Sequence, residues 1–311
     1  MVDVAAAAGA DAFKVQVFRA AELATPDAQT AAYQSDAGGS QREMLSRLEL
    51  DDDALARIQA RCEARRIEFL ATPFGQDDVR RLVRQRARAI KIASTDIDNT
   101  LLLEVAAKTG LPLIVSTGAA TRDEIDAAVG RLREWGAAGR LVLLHCVSSY
   151  PTPLEAANLR AVAALRETFG VPSGFSDHTL ETQTGALAVA AGACMLEKHF
   201  TLDRRADGPD HALSLEPEGL REYVSAVRQA ERALGSGRLG LSDIERDVRH
   251  VARRSIVAAR DLAAGAVLRE DMLALKRPAG GLPPAKLDAL LGRRLRAAVP
   301  RDTRLTMDLL E

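Results

Sequence analysis

Three consecutive pieces decide the fold: Pro112-Leu113-Ile114-Val115-Ser116, the segment from Thr121-Arg122-Asp123-Glu124 to Trp135, and Leu141-Val142-Leu143-Leu144-His145-Cys146. The outer two are short apolar runs of the kind found in strands buried on both faces. Between them, Arg122–Trp135 repeats apolar residues at three and four, the spacing of an amphipathic helix. Thr121 and Glu124 form a capping box that opens this helix, each side chain serving the other's backbone N–H. Strand, helix and strand in close succession make a parallel βαβ unit.

The unit recurs on both sides. Further strands are expected at Ala12–Phe18, Glu68–Thr72, Ala89–Ala93, Ser173–Ser176 and Met195–His199, and Asp52–Arg66 has the same helical period. Seven strands in one direction favour a closed α/β barrel of the (β/α)8 TIM type over an open sheet. A closed barrel needs an eighth strand, and Met1–Ala10 reads only as the tail of a helix, so the expectation is a barrel lacking its first strand. Glu216–Leu234 reads as the closing helix. The barrel is therefore expected over 1–235, a linker beginning at Ser236-Gly237 over 236–252, and a second module over 253–311. That module offers short strands at Ser255–Ala259, Leu273–Arg277 and Leu295–Val299, one helical turn at Leu287–Leu291, and the Pro/Gly-rich run Pro278–Pro284.

Composition narrows the partners. The 42 basic and 43 acidic side chains leave a formal charge of -1, which gives no field to hold a polyanion and speaks against nucleic acid. No run approaches the roughly 18 apolar residues of a membrane span, and Met1–Gly9 lacks the basic region and cleavage site of a secretory leader. The three cysteines are too scattered for a disulfide framework, so a cytoplasmic location is expected. Only six of the 42 basic residues are lysine, which singles out those at strand ends as candidate functional point charges.

In such barrels chemistry collects where strands end. Here those ends carry Lys14/Gln16, Thr72-Pro73, Lys91/Ser94, Ser116-Thr117-Gly118, His145/Ser148, Ser176-Asp177-His178 and Glu197-Lys198-His199. His178 and His199 end successive strands and can bind a divalent metal while leaving positions open for water and substrate oxygens, or can be two unrelated hydrogen-bonded histidines. Asp177 and Glu197 beside them are candidate hydrogen-bonding supports for such a site. His211 on the following loop can be a third ligand, a substrate contact or a loop histidine, and His145 suits a core role as well as a catalytic one. Lys14 and Lys91, with the hydroxyls and N–H groups of Ser116-Thr117-Gly118, would suit a small phosphorylated anion or a solvated rim. Lys198 follows Glu197 and so is expected to face away from the interior and pair with a carboxylate.

These residues resemble the sialic acid synthase family, which includes N-acetylneuraminate, legionaminate and pseudaminate synthases. The resemblance runs from Gly9-Ala10-Asp11-Ala12-Phe13-Lys14-Val15-Gln16 through Ile67–Phe74, Lys91-Ile92-Ala93-Ser94 and His145-Cys146-Val147-Ser148-Ser149-Tyr150-Pro151 to Asn158-Leu159-Arg160. Its most specific stretches are Gly174-Phe175-Ser176-Asp177-His178-Thr179, Glu197–Asp203 and Gly208-Pro209-Asp210-His211. Ala252-Arg253-Arg254-Ser255 and Lys276-Arg277-Pro278 are similar to the family's antifreeze-like (SAF) domain.

The resemblance implies that His178 and His199 hold a divalent metal, Mn2+ or Mg2+. It implies that Lys14, Lys91, Ser94, Ser116, Ser148 and Ser176 hold phosphoenolpyruvate, with Lys14, Asp210 and Arg277 in the catalytic group. Tyr150, Asn158 and Asp210 would lie in the sugar region. It implies a domain-swapped homodimer in which Arg277 of one copy reaches the sugar bound by the other. The expected reaction condenses phosphoenolpyruvate with an open-chain N-acylated amino sugar. The family's opening strand carries an Ala-Glu-Ile-Gly-type motif, whose Glu is a proposed catalytic residue, and an Asn-His pair; neither occurs here. A metal-dependent lyase on the same barrel, and a truncated, non-catalytic sugar-binding homologue, are the competing expectations.

Overall fold

The computed structural model describes residues 1–30 and 40–311. They form two compact units, Met1–Gly235 and Ser236–Glu311. The first begins with α1 (Val2–Ala8), β1 (Ala12–Val17), α2 (Ala20–Leu23), α3 (Gln41–Ser46), α4 (Asp52–Arg65), β2 (Glu68–Pro73) and α5 (Gln76–Arg84). It continues with β3 (Ile90–Ile92), α6 (Thr100–Lys108), β4 (Leu113–Ser116), α7 (Arg122–Glu134), β5 (Leu141–Cys146) and α8 (Arg160–Phe169). β6 (Ser173–Asp177), α9 (Thr184–Ala190), β7 (Leu196–Lys198) and α10 (Pro217–Leu234) complete it. Each expected strand is present, its ends within one residue of the sequence reading.

Every ladder in this unit is parallel: β1 pairs with β2, and β3 to β7 form a five-stranded sheet in chain order. Among the described residues no ladder joins β7 to β1, and Lys14 on β1 meets Glu197 on β7 through an ion pair of their side chains. Helix α7 starts where the sequence places its cap. The Thr121 hydroxyl accepts from Glu124 N–H at 3.3 Å and the Glu124 carboxylate accepts from Thr121 N–H at 2.7 Å, completing the capping box of α7.

Strand alternation sorts the side chains. Ile90, Ile92, Leu113, Val115, Leu141 and Leu143 pack outward in one buried cluster with Leu103 and Ala106 of α6, Val129 and Leu132 of α7 and Leu165 of α8. A second cluster joins Val17, Phe69 and Ala71 to Val2, Leu55 and Leu82. Each fully buried aliphatic side chain contributes about 1.5–3 kcal/mol, so the register that turns these residues to the helices is strongly favoured. A one-residue step along each strand then turns Lys14, Thr72, Lys91, Ser116, Cys146, Ser176 and Glu197 to the opposite face. The hydrophobic layer thereby aims the polar one.

The second unit contains α11 (Arg246–Ala252), β8 (Ser255–Ala258), β9 (Leu273–Lys276) and α12 (Leu287–Leu290), with β8 and β9 antiparallel. Its core is its own: Ile256, Leu262, Leu268, Leu290, Leu295, Val299 and Leu305. The segment expected as a linker is partly helical, because Ser242 and Glu245 form a capping box just ahead of α11. The strand expected at Leu295–Val299 is instead an irregular run with single bridges at Leu295 and Val299. Those two residues are buried while Ala297 between them is exposed, so the two-residue period of a strand is broken. No helix of the described residues is long and apolar enough to cross a membrane.

Candidate active site

The inward residues converge at the C-terminal ends of the strands. Glu197 lies between two ammonium groups, 3.3 Å from Lys14 Nζ and 3.5 Å from Lys91 Nζ. Lys14 also donates to Thr72 Oγ1 at 3.4 Å, and Lys91 donates to Ser116 Oγ at 2.6 Å and to the Ile92 carbonyl at 2.8 Å. Burial opposes a charge on Glu197, but Lys91 and then Lys14 outweigh it and hold the carboxyl down to about 2. Burial likewise pushes Lys91 below its usual value, with Glu197 opposing and Lys14 adding to the shift. One carboxylate thus serves two cations, leaving an excess of positive charge, a setting for a multiply charged anion.

Next to this array lies a close-packed cradle. Gly118 N–H donates to Ser94 Oγ at 3.0 Å. A Cβ on Gly118 would stand 2.5 Å from Ser148 Oγ, 2.9 Å from Cys146 Sγ and 3.0 Å from Ser94 Oγ, so only glycine fits. Burial raises the Cys146 thiol's pKa, with hydrogen bonds to Ser94 and Ser176 opposing. Ser94, Ser116, Ser148 and Ser176 are therefore gathered around the end of β4 and β5, as the sequence places them.

The two histidines of the strand ends are brought together, their ring centroids 5.4 Å apart. The His178 ring nitrogen Nδ1 is 2.8 Å from the Val147 carbonyl, so Nδ1 carries the proton and Nε2 is left as the lone-pair nitrogen. Burial, and then the neighbouring His199, lower the His178 pKa to about 4. Burial also lowers that of His199, against the pull of Asp210, whose Oδ2 is 3.8 Å from His199 Nδ1. Both rings are therefore neutral at pH 7, the form in which imidazole binds a metal. Among the described residues no cluster of three or more His, Cys, Asp or Glu closes on one point. The Tyr150 ring packs 4.2 Å from His178 and 6.1 Å from His199, centroid to centroid.

Other candidates go elsewhere. His145 is on the outward face of β5, where its Nε2 meets the Ala157 carbonyl at 2.9 Å and its ring stacks on Phe175. It lines a cavity of about 560 Å3 with Arg122, Ile125 and Phe169; Cys146 and Ser148 of the cradle border the same cavity, whereas Lys14, Lys91, His178 and His199 do not. His211 is tied to Thr201 Oγ1 at 2.6 Å. Asn158 sits at φ 45° in the turn before α8, and its side chain makes no hydrogen bond to the cluster among the described residues. Arg277 is an exposed residue of the second unit. Asp177 corrects the expectation of a hydrogen-bonding partner for the histidines: its carboxylate faces the helices, 3.1 Å from Lys198 Nζ. Lys198 faces outward with it.

The bridging role of Glu197 and the place of Cys146 were missed from the sequence, although one signal was there. Glu197 and His199 are two apart on one strand, as are Ser176 and His178, so each pair shares a face. Cys146 has the parity of Leu144 and not of the apolar residues turned to the helices.

Fold and site together define a parallel α/β barrel with a cationic anion cradle and an open imidazole pair at the C-terminal ends of its strands. The chain belongs to the NeuB family, whose model matches residues 1–239, and a SAF domain follows at residues 253–311. It is 37% identical to the N,N'-diacetyllegionaminic acid synthase of Legionella pneumophila, over 100% of this chain and 89% of that protein. A sialic acid synthetase from Leptospira borgpetersenii, crystallised with citrate, superposes with a TM-score of 0.71 at 34% identity, covering 80% of this chain and 82% of that one. A spore coat polysaccharide biosynthesis protein E from Chromobacterium violaceum gives 0.81 at 26% identity, over 100% and 93%.

Proposed function

We propose that the protein is a nonulosonic acid synthase that joins phosphoenolpyruvate to the aldehyde of an open-chain N-acylated amino sugar and releases phosphate. The observation that carries this reading is the Lys14–Glu197–Lys91 array lying on the same strand ends as the His178/His199 pair. The cations and the serine cradle suit the phosphate and carboxylate of the donor, and the imidazole pair suits an aldehyde acceptor next to it. The legionaminic acid synthase relative points to a diacetamido hexose as one acceptor, with N-acetylmannosamine as the other candidate.

The residues fit a divalent ion, Mn2+ or Mg2+. His178 is pinned by a backbone carbonyl through one nitrogen, which orients the other, and both rings are neutral. When bound there, the ion would supply Lewis-acid polarisation of the sugar aldehyde. Lys14 and Lys91 neutralise the donor and hold its methylene carbon against the aldehyde carbon. The enol π pair then forms the new C–C bond, and the aldehyde oxygen gains a proton to become a hydroxyl. Water adds to the cationic carbon next to the carboxylate, and phosphate leaves as the ketone forms. Asp210, beside His199, is placed to accept a hydrogen bond from a sugar hydroxyl. The domain-swapped homodimer, with Arg277 of one copy at the other's sugar, belongs to the same proposal.

Phosphate release is the test, with phosphoenolpyruvate, Mn2+ and either N-acetylmannosamine or a diacetamido hexose. Release that requires donor and sugar together, and that is lost in His178→Ala and His199→Ala, is expected. Phosphate release independent of sugar, or metal-stimulated synthesis by either histidine variant, would refute the assignment.

A further inference from the structure

We infer that the buried Asp177–Lys198 ion pair is a brace that fixes the separation and aim of His178 and His199, making both members positioning residues for the divalent ion. The inference rests on the reading of the histidine pair given above and extends it to residues that cannot touch substrate.

Asp177 and Lys198 each precede one of the histidines in the chain, and they are direct partners in the parallel register of β6 and β7. They form the last register point before both strands end. Their side chains leave the sheet on the face opposite the site, where the Asp177 side chain is 0% and the Lys198 side chain 5% exposed, with Nζ 3.1 Å from Oδ2. The rest of the Asp177 carboxylate is also engaged. Oδ1 accepts from Thr179 N–H at 2.9 Å and Thr179 Oγ1 at 2.8 Å, and Oδ2 accepts from Thr184 Oγ1 of α9 at 2.5 Å. Lys198 in turn donates to the Thr179 carbonyl at 2.5 Å and lies 5.3 Å from the centre of the Tyr223 ring on α10.

The chain is thereby clamped on both sides of His178, at Asp177 and at Thr179, while the imidazole itself is held by the Val147 carbonyl. On the other strand Lys198 anchors the residue before His199, and the His199 carbonyl accepts from Leu215 N–H at 3.1 Å. β7 has only three residues, so few ladder bonds hold it, and a slip against β6 would part the two rings. A buried ion pair is a poor source of stability compared with an apolar pair of the same volume, and its attested use is to specify register. A two-ligand ion site tolerates displacement of only about 0.5 Å, which such a register lock provides.

The experiment measures Mn2+ binding by electron paramagnetic resonance on the full chain without substrates, together with the histidine-nitrogen modulation of the bound ion. The neutral double variant Asp177→Asn/Lys198→Met, with wild-type circular dichroism, is expected to bind Mn2+ about 10-fold or more weakly and to lose the modulation from one histidine. Thr184→Val, which removes one hydroxyl from Asp177 without altering charge, should weaken binding in the same direction by a smaller factor. Wild-type affinity and modulation in the folded double variant would overturn the brace while leaving the histidine site standing. If the double variant does not fold, wild-type binding by Thr184→Val overturns it. A wild-type protein with no histidine modulation would overturn both readings.

Discussion

Gly118 has a neighbour on every side that a methyl group would need. Ser148, Cys146 and Ser94 all approach its missing Cβ to 3.0 Å or less. Gly118→Ala is therefore expected to push apart the serines of the cradle, destabilising the protein by about 1–3 kcal/mol in urea unfolding and lowering turnover out of proportion to that loss. Lys91 is 4% exposed and pairs with the Glu197 carboxylate, so its loss leaves Lys14 as that carboxylate's remaining lysine. Lys91→Met should therefore lower the Tm, and the KM for phosphoenolpyruvate should rise about 10- to 100-fold, the loss expected for one charged hydrogen bond. A destabilised variant with an unaltered KM would show that the lysine serves the fold and not the anion.

At the level of elements, the packing of α9 on α10 includes one very close fit. A Cβ on Gly185 would stand 2.4 Å from Cζ of Tyr223, so the aromatic ring lies against bare backbone. Gly185→Ala is expected to cost about 1–3 kcal/mol by forcing these helices apart, and calorimetry would register it as a lowered Tm. The barrel strands were legible because each is a short apolar run with a polar end, and Leu113–Ser116 needs no tertiary context to be recognised. β7 was legible for its ends alone, since Glu197, Lys198 and His199 are polar and only their motif marks the strand. What sequence could not supply was sidedness where both faces are polar. Asp177 looks as apt a partner for His178 as Glu197 does for His199, but it lies one residue from His178 and so takes the opposite face, beside Lys198. Leu295–Val299 failed for the complementary reason: its apolar ends suggest a strand, but their spacing of four brings only the ends to the core.

At the scale of the whole molecule, the proposed exchange of second units between copies has a distinctive signature. His178→Ala and Arg277→Ala homodimers should each be inactive, but mixed after unfolding and refolding together they should regain about a quarter of the sites, because a hybrid dimer contains one site with both residues intact. No recovery in a mixture shown to contain hybrids would place Arg277 with the site of its own chain. The core of the second unit, Ile256 with Leu262, Leu268, Leu290 and Leu305, is made from residues of that unit. Such a segment is portable: a gene fusion can attach it, and recombination can replace it, without rewriting the packing of the barrel. Under the proposed exchange, residues on its exposed surface, Arg277 among them, could then diversify toward new acceptors while the strand-end lysines and histidines of the barrel stay under their own, separate selection.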